Sequence, residues 1–285
     1  MTKELAALGS VADREVRLVC LDIDGTLVNS NNTISTSTRK AVRSLVEGGI
    51  SVCLATGRPL FAAKQIGLDL GITGPGMFFS GALIASLAEA APHYMAPLSR
   101  DDLRWSLETF SDPEIGLELY TSQDWYIEET SRFSNVHREY MKRDPLEAQL
   151  EEITASREIL KVVIMCDKGE VESRVERLLS GNNRISVGKG YGAAHPDLCF
   201  INFTNPEASR ANAFRILCEQ YGVGAGEVLA VGDGEADIPF LTLAGVGVAM
   251  GNAAESVKRA AKYVTKSVDQ DGLAFALEKL VALKK

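Results

Sequence analysis

The sequence predicts an α/β protein: a parallel sheet covered by helices, with a separate α+β segment inserted into it. Three observations carry this reading. Apolar runs of strand length recur at 16–21, 50–55, 77–84, 226–231 and 246–250, and short polar links join most of them to helical patterns. From about Pro97 the rhythm changes to helices interleaved with strands that read as antiparallel, and from Asn205 the first rhythm resumes. Two apolar runs end in paired carboxylates, Asp22/Asp24 and Asp233/Asp237, at the carboxyl ends of strands where open α/β sheets place their ligands.

The bulk numbers narrow the class. A chain of 285 residues can hold one large domain or two modest ones. A hydrophobic content of 46% with 24% charged residues is ordinary for a soluble globular protein. The formal net charge of -8 argues against non-specific nucleic-acid binding. Cys20, Cys53, Cys166, Cys199 and Cys218 are scattered with no CxxC, which predicts buried free thiols and fits a reducing cytoplasm. Residues 1–15 carry no apolar leader core and read as a loose tail or a short frayed helix. No run approaches the roughly 20 apolar residues of a membrane span. The expected setting is therefore cytoplasmic, as a monomer or homodimer with no nucleic-acid or membrane partner.

Taken in order, the strand at 16–21 delivers Asp22-Ile23-Asp24-Gly25-Thr26-Leu27. Carboxylates one residue apart at strand spacing point the same way and repel. A metal ion would relieve one of them and protonation the other. Gly25 lets the backbone turn sharply away. An EF-hand loop is excluded, because that pattern wants Gly where Leu27 stands and Glu where Thr33 stands. A helix follows from about Ser37, apolar on Ala41, Val42, Leu45 and Val46, and stops at Gly48-Gly49. The strand at 50–55 ends in Thr56-Gly57-Arg58-Pro59, a hydroxyl, a flexible glycine and a cation at a helix start whose free N–H groups suit an anion. After a helix through Ile66 and Leu70, Met77 to Ile84 reads as a third strand of the same sheet, breaking at Gly81.

Within the insertion, Ser99 to Asp102 opens a helix, and strands at 115–120 and 125–128 form a hairpin around Ser122-Gln123-Asp124. A charged, partly helical stretch at 135–150 breaks at Pro145. A strand at 159–165, a helix at 169–179 and strands at 185–187 and 198–203 complete it. Trp105 and Trp125 read as packing residues, and His137 and Arg138 as solvated helix positions. Lys189, Tyr191 and His195 fall in a Gly-rich loop and are candidate substrate contacts. Beyond the insertion, Ser209-Arg210-Ala211 opens a helix, and the strand at 226–231 ends in Gly232-Asp233-Gly234-Glu235-Ala236-Asp237. Gly251-Asn252-Ala253 stands at the mouth of the next strand. Tyr263 to Thr265 reads as a short edge strand, and residues 272–283 as a closing amphipathic helix.

Hard carboxylate oxygens without His or Cys suit Mg²⁺, which takes one or two carboxylates plus substrate phosphate. On this reading Asp22 attacks phosphorus, Asp24 protonates the leaving oxygen, and Thr56 with Arg210 holds the phosphoryl oxygens. Asp22-Ile23-Asp24-Gly25-Thr26, Ala55-Thr56-Gly57-Arg58, Ala249-Met250-Gly251-Asn252-Ala253 and Asp271-Gly272 together resemble the Cof-type phosphatases of the haloacid dehalogenase superfamily, the class with a C2 cap (subfamily IIB). The resemblance implies a Rossmann-like core at 16–96 and 201–285, an inserted α+β cap at 97–200 and a flexible tail at 1–15. It implies Mg²⁺-dependent hydrolysis of a small phosphorylated metabolite, a sugar or polyol phosphate, through an aspartyl-phosphate. Asp22 is then the nucleophile and Asp24 the acid/base, with its backbone carbonyl on the metal beside Asp22, Asp233 and Asp237. Thr56, Gly57, Arg58, Ser80, Gly81, Arg210 and Asn252 would meet phosphate or substrate.

Three departures from the family pattern stand out: Arg210 with Ala211 replaces a usual Lys-Gly, Ala236 a usual Asn, and Ser80 a usual Asn. They leave two alternatives open, a phosphomutase and a metabolite-binding protein built on a weakened enzyme.

Overall fold

The computed structural model describes residues 3–4, 15–29, 31–89, 91–192 and 195–281. It divides into two compact units, one of Met1–Arg58, Lys64–His93 and Ser209–Lys285, the other of Pro59–Ala63 and Tyr94–Ala208.

The first unit is built on a six-stranded sheet in the order Lys3–Glu4, Tyr263–Val264, Val246–Ala249, Val228–Gly232, Leu18–Leu21, Ser51–Leu54. Every pairing in it is parallel. Leu18, Val19, Cys20, Leu21 and Val228 to Val231 are wholly buried, as expected of strands covered on both faces. Helices Thr36–Glu47 and Arg210–Tyr221 start on Ser35 and Ser209, whose hydroxyls accept from the Thr38 and Asn212 N–H groups. Parallel strands need crossovers, and these helices supply them. The tail reading does not hold for Lys3 and Glu4, which pair with Tyr263 and Val264 and so move the sheet edge beyond that strand. Residues 1–2 and 5–14 lie outside the described residues.

The apolar run at 77–84 is not a third parallel strand. It divides into Pro75–Phe78 and Leu83–Ser86, paired antiparallel in a separate three-stranded sheet, with Met77 making one parallel bridge to Ala55. The reversal is a tight turn in which Phe79, Ser80 and Gly81 all have positive φ.

The second unit holds a six-stranded sheet in the order Ser186–Gly192, His195–Thr204, Lys161–Asp167, Gly116–Tyr120, Trp125–Ile127, Leu146–Glu147. It is antiparallel except for its last pair. One face carries Leu119, Val162, Ile164 and Phe203 against Leu103, Leu150, Val175 and Leu179 from helices Arg100–Thr109, Leu150–Ser156 and Glu170–Ser180. Glu118, Tyr120 and Trp125 lie on the other face, with His137 of helix Arg132–Met141.

Here two expectations are corrected. His137 is buried, not solvated, and its Nδ1 lies 2.5 Å from Glu118 Oε2. Lys189 belongs to a paired strand, and its ammonium is held by Glu172 and Glu176. The Tyr191 side chain lies outside the described residues. All five cysteines are free and buried. Among the described residues no helix is long and apolar enough to cross a membrane.

Candidate active site

Parallel neighbours Leu18–Leu21, Ser51–Leu54 and Val228–Gly232 end side by side, so the residues after them meet. Asp22 follows the first strand, its N–H still donating to Val231 O at 3.0 Å. Asp233 follows the third. Between Ile23 and Val28 the chain closes a compact loop, with the Leu27 and Val28 N–H groups both donating to Ile23 O. Gly25 sits in it at φ +77°, and a Cβ there would run into the Asp233 carboxylate. Glycine is required twice over, by conformation and by space.

Asp22, Asp233 and Asp237 each place a carboxylate oxygen within 4.8 Å of the others. Arg210 is the cation among them. Its Nη1 donates to Asp237 Oδ1, to Ala55 O at 2.9 Å and, at 3.4 Å, to Asp22 Oδ1. Asp237 Oδ2 also accepts from the Asp233 and Gly234 N–H groups, at 3.0 and 2.8 Å, which ties the loop after the strand. One guanidinium does not balance three carboxylates. Burial, then the Asp237 charge, pushes the Asp22 carboxyl well above its usual range, and Arg210 opposes this only in part. Asp233 is pushed up to about 6 by burial and then by Asp237. The Asp237 carboxyl is also raised, by burial.

Asp24 points elsewhere. Its half-exposed carboxylate receives a fork from Arg58, Nε to Oδ2 at 2.8 Å and Nη2 to Oδ1 at 2.5 Å. Arg58 was expected on phosphate, but its guanidinium is held on Asp24. Asn252 is engaged between loops. Its Nδ2 donates to Gly25 O and Asp233 Oδ2, and its Oδ1 accepts from the Val268 N–H. Thr56 is buried, its Oγ1 accepting from the Arg58 N–H at 3.1 Å. Ser80 N–H donates to Thr56 O and Phe79 N–H to Arg58 O, so the turn carrying Ser80 and Gly81 is tied to the loop carrying Gly57. A Cβ on Gly57 would stand 3.2 Å from Ser80 Oγ.

Two contributors were not read from sequence. Thr26 is fully buried, and its Oγ1 donates to Asp233 Oδ1 at 3.4 Å. The Ala55 carbonyl anchors Arg210, and no side-chain pattern could signal it.

The donor set fits a divalent metal. It offers hard oxygens only, three converging carboxylates, and negative charge that the protein leaves uncompensated. The cluster stands at the carboxyl ends of parallel strands, where open α/β sheets place their ligands.

The comparisons place the chain in a family. Residues 19–277 match the family model of the haloacid dehalogenase-like hydrolases, and the chain belongs to that family. It is 28% identical over 267 residues to the phosphoglycolate phosphatase of Methanopyrus kandleri, covering 93% of this chain and 97% of that one. It is 26% identical over 266 residues to the 5-amino-6-(5-phospho-D-ribitylamino)uracil phosphatase YcsE of Bacillus subtilis, covering 93% and 96%. The crystal structure of a haloacid dehalogenase-like hydrolase from Bacteroides thetaiotaomicron superposes with a TM-score of 0.80 at 27% identity, covering 93% and 99%. The chain is thus an enzyme, a phosphatase of the haloacid dehalogenase superfamily.

Proposed function

We propose that the protein is a Mg²⁺-dependent phosphomonoester hydrolase acting on a small phosphorylated metabolite, a sugar or polyol phosphate, through an aspartyl-phosphate on Asp22. The observation that carries this is the meeting of Asp22, Asp233 and Asp237 around Arg210, with Asp24 held apart on Arg58. Two carboxylates one residue apart are thereby given different surroundings, as different roles require.

In the first step an Asp22 oxygen forms a bond to phosphorus while the ester P–O bond breaks. The leaving oxygen takes a proton from Asp24. In the second, Asp24 takes a proton from water as its oxygen attacks phosphorus. The Asp22 P–O bond then breaks and inorganic phosphate leaves. Arg58 aims the Asp24 carboxyl, and Arg210 and Thr56 offer donors to phosphoryl oxygens as charge builds. Asp22 and Asp233, with the Asp24 carbonyl and Asp237, would hold a metal that neutralises phosphoryl charge when bound.

A small phosphorylated substrate is in keeping with two relatives named for such metabolites. We assign residues 97–200 the role of the cap, which selects the leaving group and excludes water.

The test is hydrolysis of an aryl phosphate, then of sugar phosphates, with and without Mg²⁺. Asp22→Asn is expected to lower kcat by at least about 1,000-fold with its circular dichroism unchanged. Undiminished turnover in that variant would remove Asp22 as the nucleophile.

A further inference from the structure

Asp233 differs from the other two carboxylates of the cluster in what holds it. Arg210 bonds to Asp22 and Asp237, and among the described residues its hydrogen bonds do not reach Asp233. The Asp233 carboxylate is met by two neutral donors instead. Asn252 Nδ2 reaches Oδ2 at 3.1 Å, and the buried Thr26 Oγ1 reaches Oδ1 at 3.4 Å. Gly25 packs against the same group, where a Cβ would stand 2.1 Å from Oδ2.

The chain builds Asn252 into this place. Strand Val246–Ala249 is the parallel neighbour of Val228–Gly232, so residues 250–252 and Asp233 leave the sheet together. Met250 N–H still donates to Gly232 O at 3.0 Å. Gly251 N–H donates to Lys266 O at 2.9 Å, and a Cβ on Gly251 would stand 2.6 Å from Ser267 N, so glycine permits this close approach. The Asn252 amide is used at both ends. Its Oδ1 accepts from Val268 N–H at 2.8 Å, and its Nδ2 donates to Gly25 O at 3.0 Å as well as to Asp233. An acceptor on one side and a donor on the other fix the amide's orientation, because a flipped amide would lose all three bonds.

A ligating carboxylate that is bonded from behind is ordered before the metal arrives, and loss of such a partner typically costs about 10–100-fold in metal affinity. An ionised carboxylate has about four acceptor positions, so two donors leave others free for a cation. Neutral donors suit this task, since a charged one in their place would repel the metal.

We propose that Asn252, with Thr26 on the other oxygen, is a positioning residue that orders the Asp233 carboxylate for a divalent cation and sets how tightly that cation is held. The inference rests on the reading of Asp233 as a metal ligand.

The test is calorimetric titration of the full chain with Mg²⁺, with the Mg²⁺ concentration that half-activates aryl phosphate hydrolysis as a second readout. The parent is expected to bind Mg²⁺ and Asp233→Asn to bind it far more weakly. Asn252→Ala should raise the dissociation constant and the half-activating concentration together, by roughly 10–100-fold, and excess Mg²⁺ should restore most of the lost rate. Thr26→Val should act in the same direction, while Thr26→Ser, which keeps the hydroxyl, should bind Mg²⁺ as the parent does. Asn252 is exposed, so Asn252→Ala carries the test if the buried Thr26→Val does not fold. Parent-like Mg²⁺ affinity in Asn252→Ala overturns the proposal and leaves Asp233 a ligand. A raised KM for the ester at unchanged Mg²⁺ affinity also overturns it, by giving Asn252 to the substrate. Equal weakening in Thr26→Val and Thr26→Ser removes Thr26 from the pair. A parent that binds no Mg²⁺, or an Asp233→Asn that binds it undiminished, overturns the metal reading itself and this proposal with it.

Discussion

Arg210 is buried with one guanidinium nitrogen reaching Ala55 O, Asp22 and Asp237, while its Nε has no partner. Removing the charge leaves Asp22 and Asp237 facing each other in a buried site. Arg210→Ala is expected to cost about 3–5 kcal/mol in the metal-free chain, read from chemical denaturation at neutral pH. Arg210→Lys keeps the charge but not the reach of a planar fork, so it should recover only part of the loss. An alanine variant as stable as the parent would contradict this balance. Arg58 differs, because its partner Asp24 is half exposed. Arg58→Ala should change stability by less than about 1 kcal/mol. If Arg58 aims the proton donor, kcat should nevertheless fall by roughly 10–100-fold. A fall confined to KM would show Arg58 acting on substrate instead.

At the scale of elements, helix Arg132–Met141 is fixed to its sheet by a polar contact as much as by Phe133 and Met141. His137→Ala would leave Glu118 buried with one donor fewer, and a loss of about 1–3 kcal/mol is expected on denaturation. Tyr120→Phe should cost less, because His137 still satisfies Glu118 Oε2. Equal stability in both variants would mean the cluster holds nothing. The sequence held a signal for this helix face. Phe133, His137 and Met141 fall four residues apart on one stripe, and reading His137 by its charged neighbours hid that. The strand-end aspartates were legible for a different reason: apolar runs, glycines and carboxylates are adjacent in the chain. The roles of Arg58 and Asn252 were not, since their partners lie 34 and 227 residues away. The run at 77–84 misled because its reversal is made by Phe79 and Ser80 in left-handed backbone that these residues seldom adopt.

For the whole molecule, the acidic cluster couples stability to pH and to metal. In the metal-free chain the Asp233 carboxyl rises from 3.8 to about 6, with burial and Asp237 as the main causes. Asp22 and Asp237 are raised as well. A native pKa above the unfolded one means the folded state binds the proton more tightly. That stabilisation is complete below about pH 4 and is lost as pH rises through about 6. The cluster therefore lowers the metal-free midpoint between those limits, and the charged carboxylates left near pH 7 are the form that ligates metal. Mg²⁺ should raise the midpoint more near pH 7 than near pH 5, because at the lower pH it must displace protons. Asp233→Asn removes one titrating group and one ligand together. It should flatten the metal-free pH dependence and shrink the Mg²⁺ increment in the same variant, measured by calorimetry across that range. A variant that lost one effect and kept the other would separate the titrating carboxylate from the metal ligand, and Asp233 could not then hold both roles.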